Sequence, residues 1–276
     1  MKTRIISGAV AIVILAVVMC FVNTPVFAVA ASLLSAAAVF EVLKVVNFDK
    51  FEMMIPCLIF AFLFPLKVYV SVSVSVAVTI LFVILILILG MVRHEKIRFT
   101  DTAVVLFVTI TLSFAFACLV YLRDGYYGIG LNYLQGEGVF YIVIALISAW
   151  GTDTAAYFSG YYLGKRKLCP KISPKKTVEG AIGGVLGCMV LNLVAAMIYN
   201  LTLPQGQHYN IFITLPISLL LSIAGMCGDL CASVIKRNFD IKDFGNIMPG
   251  HGGVMDRFDS VVFTAPVLFA LLLLIK

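Results

Sequence analysis

Long hydrophobic segments follow one another along almost the whole chain, and they restrict its fold more than any other feature. Of its residues, 62% are hydrophobic and only 12% are charged, whereas a soluble domain carries about 25% charged residues. A helix needs roughly 20 apolar residues to cross a hydrocarbon core of about 30 Å. The sequence therefore predicts an all-α, polytopic membrane protein.

Nine segments are candidates for membrane spans. They are Ile5–Phe21, Val26–Leu43, Phe51–Phe64, Val68–Met91, Thr100–Leu122, Val139–Tyr162, Val178–Tyr199, Ile211–Ile235 and Phe258–Ile275. We interpret the first as an uncleaved span rather than a signal peptide, because the chain stays hydrophobic beyond it. Val68–Val78 alternates as strands do, but the apolar run continues through Leu89, so we assign it to a helix.

The connections between these spans are predicted to be short. We expect an outer turn at Pro65–Lys67, a charged inner loop at Glu41–Glu52 and a basic inner loop at Gly164–Thr177. The longest outer loop is Leu122–Glu137. Tyrosines in and beside it are expected at the membrane interface, namely Tyr121, Tyr126, Tyr127 and Tyr133.

The distribution of positive charge predicts the orientation. With a cytosolic N-terminus, 17 of the 20 Lys and Arg residues fall in inner segments, and only Lys67, Arg123 and Lys276 fall outside. This asymmetry follows the positive-inside rule and predicts a multi-pass protein of the plasma (inner) membrane with its C-terminus outside. The basic face would meet anionic lipids and anionic cytosolic solutes. Nucleic acid is not expected as a partner, because no soluble basic domain is present.

The stretch Gly228–Asp259 differs chemically from the rest of the chain. It combines carboxylates, cations and glycines, namely Asp229, Ser233, Lys236, Arg237, Asp240, Lys242, Asp243, Gly250, His251, Gly252, Gly253, Asp256, Arg257 and Asp259. Carboxylates bind divalent cations, and Lys and Arg bind phosphates. If Gly228–Arg237 is helical, its polar residues share one face, and Asp256 and Asp259, three positions apart, would share another. Asp240 and Lys242 fit a solvated surface equally well.

Two more polar features precede this stretch. Asp153 lies late in the sixth span, where an ionisable residue indicates function; a helix-packing polar group is the alternative. Lys175 and Lys176 stand at the entry of the next helix, where exposed N–H groups and the helix dipole favour phosphate. The predicted topology brings these residues and the Gly228–Asp259 stretch to the same membrane surface.

These residues closely resemble the signature of the phosphatidate cytidylyltransferases, also called CDP-diacylglycerol synthases. The first block is Ser-Pro-Lys-Lys-Thr-x-Glu-Gly at 173–180. The second contains Ser233, Lys236-Arg237, Lys242-Asp243, Pro249-Gly250-His251-Gly252-Gly253, Asp256-Arg257 and Asp259. Tyr161 departs from the pattern, which has a basic residue there, and residues 1–135 share only their hydrophobic character.

The resemblance implies that CTP and phosphatidate give CDP-diacylglycerol and pyrophosphate with Mg²⁺. The implied catalytic residues are Asp229, Lys236, Arg237, His251, Asp256 and Asp259. The implied substrate-binding residues are Lys175, Lys176, Thr177, Glu179, Ser233, Lys242, Asp243, Gly252, Gly253 and Arg257. Asp229 and Asp256 are the expected Mg²⁺ ligands, and a second cation would involve Asp153 or Asp259.

We predict two functional parts, membrane helices at 1–136 for scaffold, oligomer or lipid contacts and a catalytic membrane domain at 137–276. A homodimer is considered by analogy only. Two other functions stay open. An ion-coupled secondary transporter would also carry acids within its spans and glycine-broken helices. Another CTP-dependent lipid-phosphate enzyme, such as a lipid kinase, would share the Ser-Pro-Lys-Lys-Thr element.

Overall fold

The computed structural model describes residues 2–46, 48, 50–125, 133–134 and 136–275. The chain is predominantly helical and packs as two compact units. The first contains the described parts of Met1–Tyr121 and Ile241–Arg257, and the second those of Leu122–Asp240 and Phe258–Lys276. The segment that follows Asp240 therefore belongs to the same unit as the N-terminal helices. The proposed assignment of scaffold and catalytic functions to 1–136 and 137–276 stays a prediction.

The first unit is built from hydrophobic helices. They are α1 (Lys2–Cys20), α2 (Pro25–Val45), α3 (Phe51–Leu66), α4 (Val72–Val92) and most of α5 (Phe99–Asp124). Thr24 begins α2, because its side chain accepts the N–H of Val26, and Pro25 at the first helical position leaves no amide unpaired. Helix α2 packs against α1 and α3, and α3 packs against α4. Buried apolar side chains such as Leu43 and Met53 form the contacts.

Two predicted connections in this unit are wrong. The expected turn at Pro65–Lys67 is helical, since α3 continues to Leu66 and a 3₁₀ turn follows at Lys67–Tyr69. A proline loses one helical hydrogen bond, but here it stands within the last turn and its neighbour Phe64 is buried. The charged loop begins later than expected, because α2 runs on to Val45 and encloses Glu41.

The second unit contains the remaining helices and one hairpin. Its elements are α6 (Glu137–Leu146), a π-helical turn (Ile147–Gly151), α7 (Thr152–Leu163), β1 (Lys167–Cys169), β2 (Ser173–Thr177), α8 (Val178–Thr202), a 3₁₀ turn (Ile211–Ile213), α9 (Thr214–Asn238) and α11 (Val261–Ile275). The short α10 (Met255–Phe258) ends at the border between the units. The basic segment predicted as a loop contains an antiparallel pair, with Lys167 opposite Thr177 and Cys169 opposite Ser173.

Helices α7 and α8 pack closely because glycines line the contact. A Cβ on Gly187 would come within 2.5 Å of the Ala155 side chain, and one on Gly180 within 2.9 Å of the Ala156 carbonyl oxygen. The glycines of α8 therefore allow the two helices to approach closely. Deeper in the unit, the buried Asn192 amide donates to Ser148 Oγ at 2.8 Å and also contacts a serine of α9. Such hydrogen bonds join helices where no water is available.

The structure supports a multi-pass membrane protein by helix length and composition. Seven helical stretches of the described chain are long and apolar enough to cross a membrane: Pro25–Val45, Phe51–Tyr69, Val72–Val92, Phe99–Asp124, Glu137–Leu163, Val178–Thr202 and Ile211–Asn238. Two shorter apolar helices, Ser7–Cys20 and Val261–Ile275, correspond to the first and ninth predicted spans. The count of nine stays a prediction. Tyr126, Tyr127 and Lys276, which were assigned to the outer side, lie outside the described residues.

Candidate active site

An ion pair between the hairpin and α9 forms the centre of the candidate site in the second unit. Lys176, from β2, places Nζ 2.5 Å from Asp229 Oδ2, and each side chain is 25% exposed. Ser233, one helical turn after Asp229, donates its hydroxyl to Asp229 Oδ1 at 3.5 Å. The helix predicted over Gly228–Arg237 is confirmed as part of α9. The pair is half-buried, and the Lys176 Nζ atom itself is shielded from solvent.

Two further carboxylates lie near this pair. Asp153, in the first turn of α7, accepts a hydrogen bond from Ser260 Oγ at 3.3 Å. Asp259, only 7% exposed, accepts the backbone N–H of Ser260 at 2.7 Å. Burial raises the pKa of Asp259 to about 7, and the Asp229 carboxylate acts in the same direction. Three carboxylates thus share one region, which favours a bound cation or cationic side chain.

The backbone before α11 differs from the expectation. Asp256 and Asp259 were predicted to share a helical face, but α10 ends at Phe258, one residue before Asp259. The prediction is wrong because spacing alone cannot show that a helix stops after one turn. The segment also lies very close to α9, since a Cβ on Gly228 would come 2.5 Å from the Asp259 carbonyl oxygen.

The basic hairpin is held by the start of α8. Thr177 Oγ1 accepts the N–H of Gly180 at 3.1 Å and so caps the helix. The Glu179 carboxylate accepts the backbone N–H groups of Lys165 and Arg166 at 3.0 and 3.1 Å. Thr177 and Glu179, predicted as substrate-binding, therefore have hydrogen bonds that shape the hairpin. Their predicted contacts with substrate stay a prediction.

The remaining basic residues of this unit lie on or beside these elements. Lys175 lies just before α8, as predicted, and its side chain is exposed. Lys236, in the last turn of α9, lies near enough to oppose the pKa rise of Asp259. Arg237 donates from Nε to the carbonyl oxygen of Ile172, at 3.4 Å. Cationic groups thus stand on both the hairpin and the end of α9, a distribution suited to phosphate groups.

In the first unit, Ile241–Arg257 forms a glycine-rich segment that is folded on itself by side chain to backbone hydrogen bonds. Asp256 Oδ2 accepts the N–H groups of Phe244 and Gly253, at 2.8 and 2.9 Å. Arg257 donates twice to the His251 carbonyl oxygen, at 2.9 and 2.7 Å. The His251 ring places Nδ1 2.7 Å from the hydroxyl oxygen of a serine in α1.

Two turns of this segment require glycine. Two charged residues that precede these turns are exposed to solvent. Gly250 and Gly252 have φ of 77° and 84°, which residues with a Cβ rarely adopt. Lys242 and Asp243 are exposed. The segment thus makes two left-handed turns at its glycines, and both charged residues are accessible to solutes.

The oxygen donors of the second unit fit Mg²⁺. Among the described residues, no three His, Cys, Asp or Glu side chains stand close enough together to enclose a metal ion. Mg²⁺ needs no such cage, because it commonly binds one or two carboxylates together with substrate phosphates. Asp229 with Asp153 or Asp259 supplies donors of that kind. Asp256 belongs to the other unit, so its predicted pairing with Asp229 stays a prediction.

Glu41, which contacts the glycine-rich segment, was not predicted from the sequence as a site residue. This carboxylate of α2 is 2% exposed and accepts the N–H groups of Val254 and Met255, at 3.0 and 2.9 Å. It also lines a cavity of about 460 Å³ together with Lys44 and Asp243. A usable signal was present, because an acid within a hydrophobic span indicates function.

Comparison with known proteins identifies the family and relatives of this chain. The model of the Cytidylyltransferase family matches residues 2–275. The chain is 47% identical over 149 residues to the phosphatidate cytidylyltransferase of Bacillus subtilis, covering 54% of this chain and 53% of that protein. It is 44% identical over 164 residues to the phosphatidate cytidylyltransferase of Staphylococcus epidermidis, covering 58% of this chain and 61% of that one. The matched part thus spans little more than half of these relatives. Since the family model extends over almost the whole sequence, the chain belongs to the cytidylyltransferase family.

Proposed function

We propose that this protein transfers a cytidylyl group from CTP to phosphatidate, giving CDP-diacylglycerol and pyrophosphate. The observation that carries the proposal is the Lys176–Asp229 pair, with Asp153 and Asp259 beside it, in a chain whose residues 2–275 match the cytidylyltransferase family. The names of the Bacillus and Staphylococcus relatives support phosphatidate as the acceptor. The product is a precursor for phospholipid biosynthesis.

The reaction needs no nucleophile from the protein. A phosphate oxygen of phosphatidate attacks the α-phosphorus of CTP, a new P–O bond forms, and the bond to the β-phosphate oxygen breaks. Pyrophosphate leaves with the electron pair of that bond. The requirements are neutralisation of several negative charges and in-line placement of the two substrates. A half-buried group of carboxylates and cations meets these requirements.

Mg²⁺ would neutralise phosphate oxygens and hold them in line when bound. Asp229 and Asp256 would ligate it, and Asp153 or Asp259 would serve a second cation. Lys175, Lys176 and Arg257 would bind the CTP phosphates. Lys236 and Arg237 would bind the phosphatidate headgroup. His251 would contact pyrophosphate or donate a proton to it.

The proposed setting is a plasma membrane enzyme with nine spans and a cytosolic N-terminus. The positive-inside asymmetry supports this orientation, with 17 of 20 Lys and Arg residues on the inner side. It puts the active site at the cytosolic face, where CTP is found, and the C-terminus outside. The lipid substrate would come from the inner leaflet, with residues 1–136 contributing lipid or oligomer contacts. A homodimer is the proposed assembly.

The test is product formation by the purified protein. The protein in detergent is supplied with Mg²⁺, phosphatidate and CTP labelled in the cytidine, and lipid and soluble products are separated. We expect labelled CDP-diacylglycerol and an equal amount of pyrophosphate. Asp229→Asn should abolish both while leaving the protein monodisperse. CDP as product would indicate a lipid kinase, and solute uptake without nucleotide consumption would indicate a transporter; either would refute the proposal.

A further inference from the structure

Glu41 is a buried carboxylate that has no role in the reaction proposed above. It lies in the hydrophobic helix α2, and it is 2% exposed. Burying a carboxylate is costly unless hydrogen bonds compensate for the lost water. Its two oxygens accept the N–H groups of Val254 and Met255. These charge-assisted bonds are stronger than bonds between neutral groups.

The amides that Glu41 binds are in the middle of the glycine-rich segment. They directly precede Asp256, whose carboxylate accepts two other N–H groups of the same segment, those of Phe244 and Gly253. Two carboxylates, Glu41 from outside the segment and Asp256 from within it, therefore hold four backbone amides. The backbone that presents Asp256 and Arg257 is consequently fixed against α2.

The sequence leaves room for the Glu41 carboxylate. A Cβ on Gly245 would come 2.5 Å from Glu41 Oε1, and a Cβ on Gly253 would also collide with the carboxylate. Neither glycine has a positive φ, so backbone conformation does not require glycine at these positions. The close approach of the Glu41 carboxylate is what requires glycine there. This steric relation is independent of the hydrogen bonds and points to the same contact.

We propose that Glu41 is a positioning residue for cytidylyl transfer. It fixes the backbone of 244–255 so that Asp256 and Arg257 are held in place for the substrates. The inference rests on the proposed function and extends it to a helix of the N-terminal half. Loss of the carboxylate should lower kcat more than it raises the KM for CTP, because placement of the reacting groups is lost rather than a direct contact.

The first experiment compares Glu41→Gln with Glu52→Gln. Glu52 is a matched control, since it is an exposed acid that pairs with Arg93 at 2.7 Å, with 56% of its side chain accessible. For folded Glu41→Gln, assayed well below its melting temperature, we expect a fall in kcat of about 10- to 100-fold, the range typical of groups that orient ligands. Glu52→Gln should stay within about twofold of wild type, as expected for an exposed pair.

A second readout separates positioning from general stabilisation. Hydrogen–deuterium exchange should accelerate about tenfold or more at the Val254 and Met255 amides in Glu41→Gln, and the amides of α8 should be unaffected. If Glu41 only stabilised the fold, the folded fraction would turn over normally. A kcat within about twofold of wild type, or unchanged exchange at these two amides, would overturn the inference.

A third comparison uses Gly245→Ala, which tests the same contact without changing Glu41 itself. Gly245→Ala keeps the carboxylate but displaces it, so it should also lower kcat and accelerate exchange at 254–255. In the double variant Glu41→Ala/Gly245→Ala the collision is absent, and kcat should equal that of Glu41→Ala rather than fall further. Wild-type kcat in Gly245→Ala would contradict the inference. An inactive wild-type protein would instead refute the proposed function, so the two failures are distinguishable.

Discussion

Replacing Lys176 by Gln should change the Mg²⁺ requirement in the opposite direction to replacing Asp229. The lysine Nζ lies 2.5 Å from Asp229 Oδ2, so it occupies a carboxylate that Mg²⁺ would also bind. Exposed ion pairs contribute about 0.2–1 kcal/mol, and breaking a buried pair costs about 3–5 kcal/mol. Both side chains are 25% exposed, which places this pair between those limits, at about 1–3 kcal/mol.

This energy determines the expected shift in the half-saturating Mg²⁺ concentration. Because 1.4 kcal/mol corresponds to a factor of ten, removal of the competing lysine should lower the half-saturating Mg²⁺ concentration about 5- to 140-fold. Asp229→Asn should raise it, since a ligand is lost. At saturating Mg²⁺, Lys176→Gln should still lower kcat/KM for CTP about 10- to 100-fold, the value of one charge-assisted contact to phosphate.

The assay is CDP-diacylglycerol formation over a Mg²⁺ titration, with CTP held far below its KM. Lys175→Gln is the matched control, because this neighbouring lysine has an exposed side chain and we expect it to leave the Mg²⁺ midpoint unchanged. A higher midpoint in Lys176→Gln would show that the lysine supports metal binding. That result would refute the reasoning about competition for Asp229.

Three further predictions follow from other contacts. Burial raises the pKa of Asp259 to about 7; stability from this residue is therefore fully present below pH 4 and is lost as the pH rises through 7, and Asp259→Asn should flatten that slope in chemical unfolding with EDTA present. Asn192→Ala should lower the unfolding free energy in detergent by about 1–3 kcal/mol, because its amide bonds to serines of two other segments are lost. Gly187→Val should destabilise by about 1–3 kcal/mol, because the added atoms meet α7, and a normal melting temperature would contradict the close contact.

The parts of the fold that follow from local pattern could be predicted. The hydrophobic runs located the long helices, and the spacing of Asp229 and Ser233 correctly placed them on one face of α9. Lys176 was predicted at the entry of α8, which is where it lies. These successes depend on hydrophobic periodicity and on short-range helix geometry, both of which a single sequence contains.

Features that depend on backbone hydrogen bonds between distant segments could not be predicted. The hairpin at Lys167–Thr177 was read as a loop, because the six lysine and arginine residues of Gly164–Thr177 indicated a basic inner segment that follows the positive-inside rule. The break after Phe258 was missed because the helix was extrapolated from residue spacing. Asp256 was assigned to metal alone, yet its oxygen also accepts two loop amides. Asp256→Asn would therefore disturb the loop as well as any bound cation, and Asp229→Asn is the cleaner test of metal binding.

Glu41 shows why a motif search finds only part of such a site. The residues that a motif records are those near the substrates, whereas a buried carboxylate that accepts backbone N–H groups places no demand on the identity of the side chains it binds. It does constrain glycines that must leave it space, which among the described residues are Gly245 and Gly253. Gly253 was predicted to bind substrate, and no role was predicted for Gly245. Two features together therefore predict a contact that neither predicts alone. One is an acid in a hydrophobic helix, and the other is a polar segment with glycines whose φ values do not require glycine.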